Sequence, residues 1–489
     1  MHVKSLIFSL VFLPFSASAV DIFAADKDYT QGNYEQAKQQ YLAAAEVGNP
    51  HAYYQLGNMY FKGLGGEQDV INALLYFYLA AEQKFHNSEA LITKILDSIP
   101  ADNRTVVMTL LEEHKKTHGK QQIIAKYFPI LNENNLQTKI TFDGEPSLKT
   151  VYLPDDVDLQ DFLPETDLNT LDIDDSEAFS DNPLIMPMST PRSPFLIIDH
   201  DVDKDGSIRH STEVQKFGFY QRLEEQFTLF PIAKPEFDGA AVDFASRTFL
   251  GAAAYNKFTL VEENPTIYQQ IVKQTRKFKR GESISDKFNL AMLMLNFPWL
   301  EQGENEAEDI LLDVSKKGHA PAMYEYGFKL FREQRDIEQA IHWIAEASKY
   351  GLIRAEYRLA RLLQSSPWVI NDERKALYWY ESAMNKGNTK ARIRAADILF
   401  TSKDESILNY ELAVEYLSEL EALGVNDPEY YYLQALKYKS GKHRDIKLAV
   451  ENIERAILQG QLTNWDVSDW QALLREITTG SIFVTDYEN

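Results

Sequence analysis

The stretch Asp201-Val-Asp-Lys-Asp-Gly-Ser-Ile208 sets carboxylates at alternate positions, Asp201, Asp203 and Asp205, followed by Gly206 and Ile208. Oxygen ligands at that spacing are what an EF-hand loop offers calcium at its positions 1, 3 and 5, with glycine at 6. The twelfth position should be a bidentate Glu; here it is Thr212, with Glu213 one place late. An EF-hand also needs a helix ahead of the loop, whereas Phe195-Leu-Ile-Ile-Asp199 is β-branched and apolar and predicts a strand. The stretch is therefore expected to be the tip of a β-hairpin, with Asp205-Gly206 as the turn and residues 207–214 as the return strand. A second candidate is His114 and His118, one helical turn apart. They lack the Glu of H-E-x-x-H and a third ligand, so a plain surface pair is expected. The sequence holds no Walker loop, no G-x-S-x-G elbow and no Rossmann glycine triplet. No catalytic residue, no metal ligand and no cofactor is expected: the chain reads as a non-enzyme.

The elements that would position such residues follow from composition and period. A chain of 489 residues exceeds one ordinary core. Its net charge is −23, and residues 151–191 hold no Lys or Arg but eleven Asp and Glu. Such a chain has no electrostatic reason to seek nucleic acid or anionic lipid. Residues 1–19 carry Lys4, an apolar run from Leu6 to Phe15 and Ala17-Ser18-Ala19. That is the pattern of a secretory signal cut after Ala19. Cysteine is absent, which excludes disulfides and thiolate chemistry. The expected location is the periplasm of a Gram-negative bacterium, as an exported soluble protein without membrane insertion once the signal is removed.

A repeat runs through both ends. Five segments start at Ala307, Ala340, Ala376, Ala413 and Ala449 and end at Gly318, Gly351, Gly387, Gly424 and Gly460, stepping by 33, 36, 37 and 36. Ala37 to Gly48 and Ala73 to Lys84 keep the same length near the N-terminus. Eleven residues make three helical turns, small residues let a neighbouring helix approach, and the final Gly supplies a left-handed stop. Ala52, Ala322, Ala355 and Ala391 each lie four residues after a preceding Gly, and Gly57, Gly327, Ala360 and Ala396 five residues further on. The unit is helix, turn, helix, each with an apolar face that only stacking can bury. Tyr54, Tyr324, Tyr357, Trp343, Trp379 and Tyr416 fall at repeat positions and are expected mostly in the core. The motif "A..LG..Y..G" followed by "A..WY..AA..G" resembles the SEL-one-like repeat, a relative of the tetratricopeptide repeat, most closely in "HAYYQLGNMYFKGLGGEQDVINALLYFYLAAEQ". That resemblance implies an α-solenoid used for protein contacts, with residues 463–477 in a capping helix.

Between the repeat blocks the predicted order is strand, turn, strand, helix, strand. Together with Phe230 to Ala233, Asp238-Gly239 and the apolar segment from Val242, residues 194–258 resemble the C-terminal domain of TonB energy transducers. The resemblance implies a small α+β domain that binds a peptide from an outer-membrane receptor along a sheet edge, by strand addition. Val242, Phe244 and Arg247 are the candidate docking strand. Lys273, Arg276, Lys277, Lys279 and Arg280 predict a basic helix, either a solvated face or a partner for the acidic stretch.

The fold class expected is mostly α: an α-solenoid of helix-turn-helix repeats interrupted by a small α+β domain. Its parts are a signal (1–19), N-terminal repeats (20–100), a helical extension (101–131), an acidic linker (132–193) with short strands at "KITF" and "KTVYL", the α+β domain (194–262), leading helices (263–300), C-terminal repeats with a cap (301–478) and a tail (479–489). The repeat-defining positions are Ala52, Gly57, Ala340, Gly351, Ala376, Gly387, Ala413, Gly424, Ala449 and Gly460. The expected function is a non-catalytic scaffold or adaptor: its repeats bind a protein and its middle domain docks a strand in an envelope transport system. A TonB-like transducer is the alternative if residues 1–19 stay on as an anchor. An enzyme built on the repeats is the second alternative, which a buried cluster of titratable residues would favour.

Overall fold

The computed structural model of the chain describes residues 20–145, 148, 194–229 and 232–479. Seven helices come first: α1 (Ile22–Gln31), α2 (Tyr34–Glu46), α3 (Pro50–Lys62), α4 (Val70–Glu82), α5 (Ser88–Asp97), α6 (Ala101–His118) and α7 (Lys120–Tyr127). A mixed region follows, with β1 (Thr141–Phe142), β2 (Phe195–Val202), β3 (Ile208–Phe217), α8 (Gln221–Thr228), β4 (Pro235–Phe237), β5 (Ala240–Ala241) and β6 (Phe244–Gly251). The rest is helical: α9 (Lys257–Glu263), α10 (Pro265–Arg280), α11 (Ile284–Asn296), α12 (Glu306–Lys316), α13 (Ala320–Arg332), α14 (Ile337–Ser348), α15 (Ile353–Ser365), α16 (Glu373–Met384), α17 (Thr389–Thr401), α18 (Tyr410–Ala422), α19 (Pro428–Lys439), α20 (Ile446–Leu462) and α21 (Ser468–Thr478). The fold class is the one the repeat spacing predicts, mostly α with a small antiparallel sheet region.

Two compact units divide the chain. The first takes in residues as far as Phe128, with Lys349–Ala360 and Arg374–Ala395. Its α3–α4 pair shows how sequence makes a repeat. The Asn49 side chain accepts from Ala52 N at 2.8 Å and starts α3, with Pro50 in the first turn, where its missing N–H is no loss. Asp69 starts α4, accepting from Ile71 N and Asn72 N at 3.0 Å. Where the helices cross, a Cβ on Gly57 would stand 2.7 Å from the Phe77 ring, so any side chain there would have to displace the ring. Phe77 packs with Ala73 and Leu74, with Ile92 and Ile95 of α5, and with Val107 and Leu111 of α6, so the extension continues the repeat core. The unit closes on α16: Trp379 Nε1 donates to Tyr127 O at 2.7 Å and Lys375 Nζ to Phe128 O at 2.9 Å.

The second unit comprises Pro129–Ser348, Arg361–Glu373 and the chain from Ala396. It holds two antiparallel sheets with strand orders β1-β4-β5 and β3-β2-β6. Every residue of β2 is buried. Phe195 and Ile197 pack with Leu260, Ile271, Leu290 and Phe297, while Leu196 and Ile198 pack with Leu223 and Phe227 of α8. Helices therefore cover both faces, which is why Phe195–Ile198 is an unbroken apolar run instead of an alternating one. The Asp205-Gly206 turn is a hairpin tip as expected: Gly206 has φ +84°, and a Cβ there would lie 2.2 Å from Ile232 O. Asp238 and Gly239 both have positive φ and turn β4 into β5. Val242 lies between β5 and β6, so the third long strand begins at Phe244.

Two expectations change. The acidic linker does not begin at residue 132. Asn132 N donates to Trp368 O at 2.9 Å, Ile140 exchanges hydrogen bonds of 2.6 and 2.8 Å with the Gln334 amide, and Phe142 is buried against Phe244. These apolar side chains bring residues 132–142 into the second unit, and "KITF" supplies β1. "KTVYL" and the acidic run itself lie outside the described residues. The second change is Gly460. Gly318, Gly351, Gly387 and Gly424 are left-handed and follow helices as the spacing requires. Gly460 is helical, and α20 runs on to Leu462. A Cβ on Gly460 would meet Val467 at 2.7 Å and Trp470 at 3.0 Å, so this glycine admits the capping helix α21.

Candidate functional site

The polar half of β2 is the most concentrated chemistry in the second unit. Asp199, His200 and Asp201 are buried on this central strand. Antiparallel register sets Arg247 of β6 opposite Asp199. Its guanidinium binds Asp199 with two bonds, Nε to Oδ1 at 2.6 Å and Nη2 to Oδ2 at 3.0 Å, and meets Glu325 Oε2 of α13 at 2.9 Å. Burial works against the Arg247 charge, but Asp199 and Glu325 more than offset it and raise its pKa. Arg332, one helix face along on α13, is lowered to about 10, first by burial and then by Arg247.

The network continues to both sides. Asp201 meets Arg361 at 3.4 Å, and Arg361 meets Asp243 at 2.9 Å. Arg209 binds Asp203 at 2.7 Å and Glu429 of α19 at 3.1 Å, and lies over the Trp465 ring. His210 Nε2 is 2.8 Å from the other Glu429 oxygen, and His200 Nε2 is 3.0 Å from Thr248 Oγ1. The three carboxylates of the calcium-like pattern are spent in these contacts. Asp201 and Asp203 face guanidiniums, and Asp205 accepts from Ser207 N at 2.9 Å within the turn. Among the described residues no group of three His, Asp or Glu is arranged to hold a metal.

A buried titratable cluster is the feature that would favour an enzyme, so its chemistry decides. The side chains of Arg247, Asp199 and Glu325 are 1–3% exposed and that of His210 is 0%. A reacting group must touch a substrate, and these touch one another. Acids and guanidiniums alternate, with Arg247 and Asp199 joined by a two-bond fork, an arrangement that fixes side chains. The network does the work of a clamp, tying β2 and β6 to α13 and β3 to α19.

The predicted docking residues sit around this clamp. Phe244 is buried, stacked on Phe331 at 5.3 Å, and Arg247 is the clamp's centre. Val242 is half-buried beside the strand. β6 is nonetheless an end strand of its sheet. Of the repeat positions, Ala52, Ala340, Ala376, Ala413 and Ala449 are fully buried, as are Tyr324, Tyr357, Trp379 and Tyr416 to within 8%. Tyr54 and Trp343 are half-exposed instead. A Cβ on Gly327 would stand 2.8 Å from Ala340 O, the backbone approach that small residues at this position permit. His114 and His118 stack at 4.3 Å, and His114 is lowered to about 4, by burial and then by His118. Large apolar side chains remain in solvent on α20, where Leu458 and Leu462 are 59% and 65% exposed. No described helix is long and apolar enough to cross a membrane.

Sequence reasoning missed the clamp. Its only local signal was an apolar strand running without a break into Asp-His-Asp, three polar residues where a buried strand should stay apolar.

No curated protein matches the chain. Among solved structures, a protective antigen of uropathogenic Escherichia coli strains with an SLR fold is 16% identical, covers 92% of this chain and 78% of its own, and has a TM-score of 0.35. A Sel1 repeat protein from Oxalobacter formigenes is 19% identical over 42% of this chain and 60% of its own, with a TM-score of 0.31. Residues 50–85, 318–351 and 353–388, which hold α3–α4, α13–α14 and α15–α16, match the family model of the Sel1 repeat, and at these places the chain carries Sel1 repeats.

Proposed function

We propose that this chain is a non-catalytic scaffold that binds other proteins through its helical repeats in the periplasm of a Gram-negative bacterium. The observation that carries the reading is the Sel1 repeat match at three places, since such repeats generally serve protein–protein contacts. The signal-like residues 1–19 support export. The interior chemistry agrees: the buried acids and cations hold elements together. The partner presented to α20 would meet Leu458 and Leu462, an apolar pair on one face.

The finer part of the proposal concerns the sheet β3-β2-β6. Its strand order supports a kinship with transducer C-terminal domains, and β6 as an end strand supports docking of a peptide from an outer-membrane receptor. Because Phe244 and Arg247 are spent inside the unit, that docking would rest on the backbone edge and on Val242.

Photo-crosslinking residues placed in living cells at Leu458 and Leu462, at Val242, and at exposed Lys116 as a control test both parts. One envelope protein captured from the α20 positions and not from Lys116 is the expected result. Equal capture everywhere, or none, counts against the scaffold. Capture of a receptor segment from Val242 supports strand docking, and silence there with capture at α20 leaves the repeats as the binding surface.

A further inference from the structure

The residue that leads into α1 is built into the first unit. Val20 is fully buried. Its nitrogen donates to Ser382 Oγ of α16 at 3.3 Å, and its carbonyl accepts from Lys386 Nζ at 2.7 Å. The same ammonium reaches Gly351 O at 2.8 Å and Glu356 Oε2 of α15 at 2.6 Å. Ser382 gives its own proton to Glu356 Oε1 at 2.9 Å. Gly351 is needed for this fit, because a Cβ there would stand 2.0 Å from Val20 O. Two residues on, Ile22 N donates to Tyr350 O at 3.2 Å, and Asp21 between them caps α1 by accepting from Ala24 N at 2.8 Å. Nitrogen and carbonyl are held from α16 and the turn after it, and the Ile22 amide from the end of the α14 region. This is a socket for one residue.

Position 20 is also the one that Ala17-Ser18-Ala19 places first after cleavage. We propose that Val20 is the mature N-terminus and that its α-ammonium is the group this socket is built to hold. Hydrolysis of the Ala19–Val20 bond by an export peptidase consumes one water. It leaves a carboxylate on Ala19 and an amine on Val20, which takes up a proton. The new cation keeps its bond to Ser382, which it shares with Glu356, and stands next to Asp21. A buried cation needs such counter-charge, since an unpaired one is expelled by desolvation. The carboxylate gains as well: burial pushes Glu356 up to about 7 against the pull of Lys386 and Ser382, and an ammonium beside it draws it back toward the ordinary range. Removal of the leader thus completes the first unit and fastens its end. The inference rests on reading residues 1–19 as an export signal.

The test combines N-terminal sequencing of the protein recovered from the cell envelope with acylation of the folded mature chain, by an amine-reactive ester near neutral pH. Mass spectrometry of the N-terminal peptide reads the label. The sequence should begin Val-Asp-Ile-Phe, and the Val20 amine should react at least about tenfold more slowly in the folded chain than in urea. S382A should raise the folded-state rate, and a chain retaining Ala17–Ala19 should melt at least about 2 °C lower. A mature chain that begins elsewhere, or a Val20 amine that reacts equally fast folded and unfolded, overturns the socket and leaves export standing. An intact leader on protein confined to the cytoplasm overturns both.

Discussion

Each unit buries a glutamate beside a cation, and the two fare differently. Glu325 in the second unit faces Arg247, whose planar fork also takes both oxygens of Asp199, and the guanidinium is held charged in spite of burial. Glu356 in the first unit faces Lys386, a point charge that also serves two backbone carbonyls. There burial wins: the carboxyl moves up to about 7 and the Lys386 ammonium moves down. The difference is one of geometry. A guanidinium satisfies several oxygens in fixed directions, whereas an ammonium divided among three acceptors leaves each less than fully compensated. The first arrangement makes a permanent clamp, and the second leaves a site that still responds to added charge.

The largest way to break this contrast is R247A. It strands Asp199 and Glu325 without their fork, and loss of one member of a buried pair destabilises by about 3–5 kcal/mol. Urea denaturation should show that loss, with R247K recovering only part because it restores charge without the second bond. A result within error of wild type would mean the clamp is ornamental.

Next in size is the response to pH. The folded-state value of Glu356, about 7, lies above the ordinary 4.5. The stability tied to its protonation is therefore full below about pH 4.5 and is lost as pH rises through about 7, at most about 3 kcal/mol at 1.36 kcal/mol per unit. Burial raises it first, Lys386 and Ser382 pull against that rise, and Asp21 adds to it. A chain with an uncharged Val20 nitrogen should show this slope in urea titrations across pH 5–7, E356Q should flatten it, and a free Val20 amine should reduce it. An unchanged slope in E356Q assigns it to other groups.

Smaller effects probe the repeats. In G327A the new methyl meets backbone at Ala340 and Ile344, which cannot yield, so a loss of about 1–3 kcal/mol is expected. In G57A it meets the Phe77 ring, which can shift, so thermal melting should fall less. Equal losses would show that both helix pairs are equally rigid. Last, Lys84 stands where other units end in glycine and adopts φ +55°. K84G should raise stability by about 1 kcal/mol by removing the left-handed strain on an L side chain. A lower melting temperature would mean its side chain matters more than its backbone.

The repeats were legible because their cause is local. A left-handed glycine and small residues at a helix crossing recur at fixed spacing whatever lies elsewhere in the chain. The hairpin at Asp205-Gly206 was legible for the same reason. Gly460 misled because small residues serve two ends, a helix stop or a close crossing, and the spacing does not distinguish them. The clamp was hidden because Arg247 meets an acid 48 residues back, and Arg209 one 220 residues ahead. No local pattern encodes such pairs. Residues 132–142 hold one Glu and one Lys and no net charge. Grouping them with the acidic run that starts at Asp155 hid the anchoring by Ile140 and Phe142, although the strand at "KITF" was legible.

The bond from Trp379 to Tyr127 spans 252 residues. At about 5–20 residues added per second, a ribosome needs on the order of 10–50 s to make the intervening chain. For that interval α1–α7 exist without the helix that closes them, with an apolar flank open to whatever is nearby. A nascent chain in that condition cannot finish its first unit in the order it is made. Its N-terminal repeats must wait, and a holding chaperone, or the delay itself, becomes part of how this protein reaches its native state.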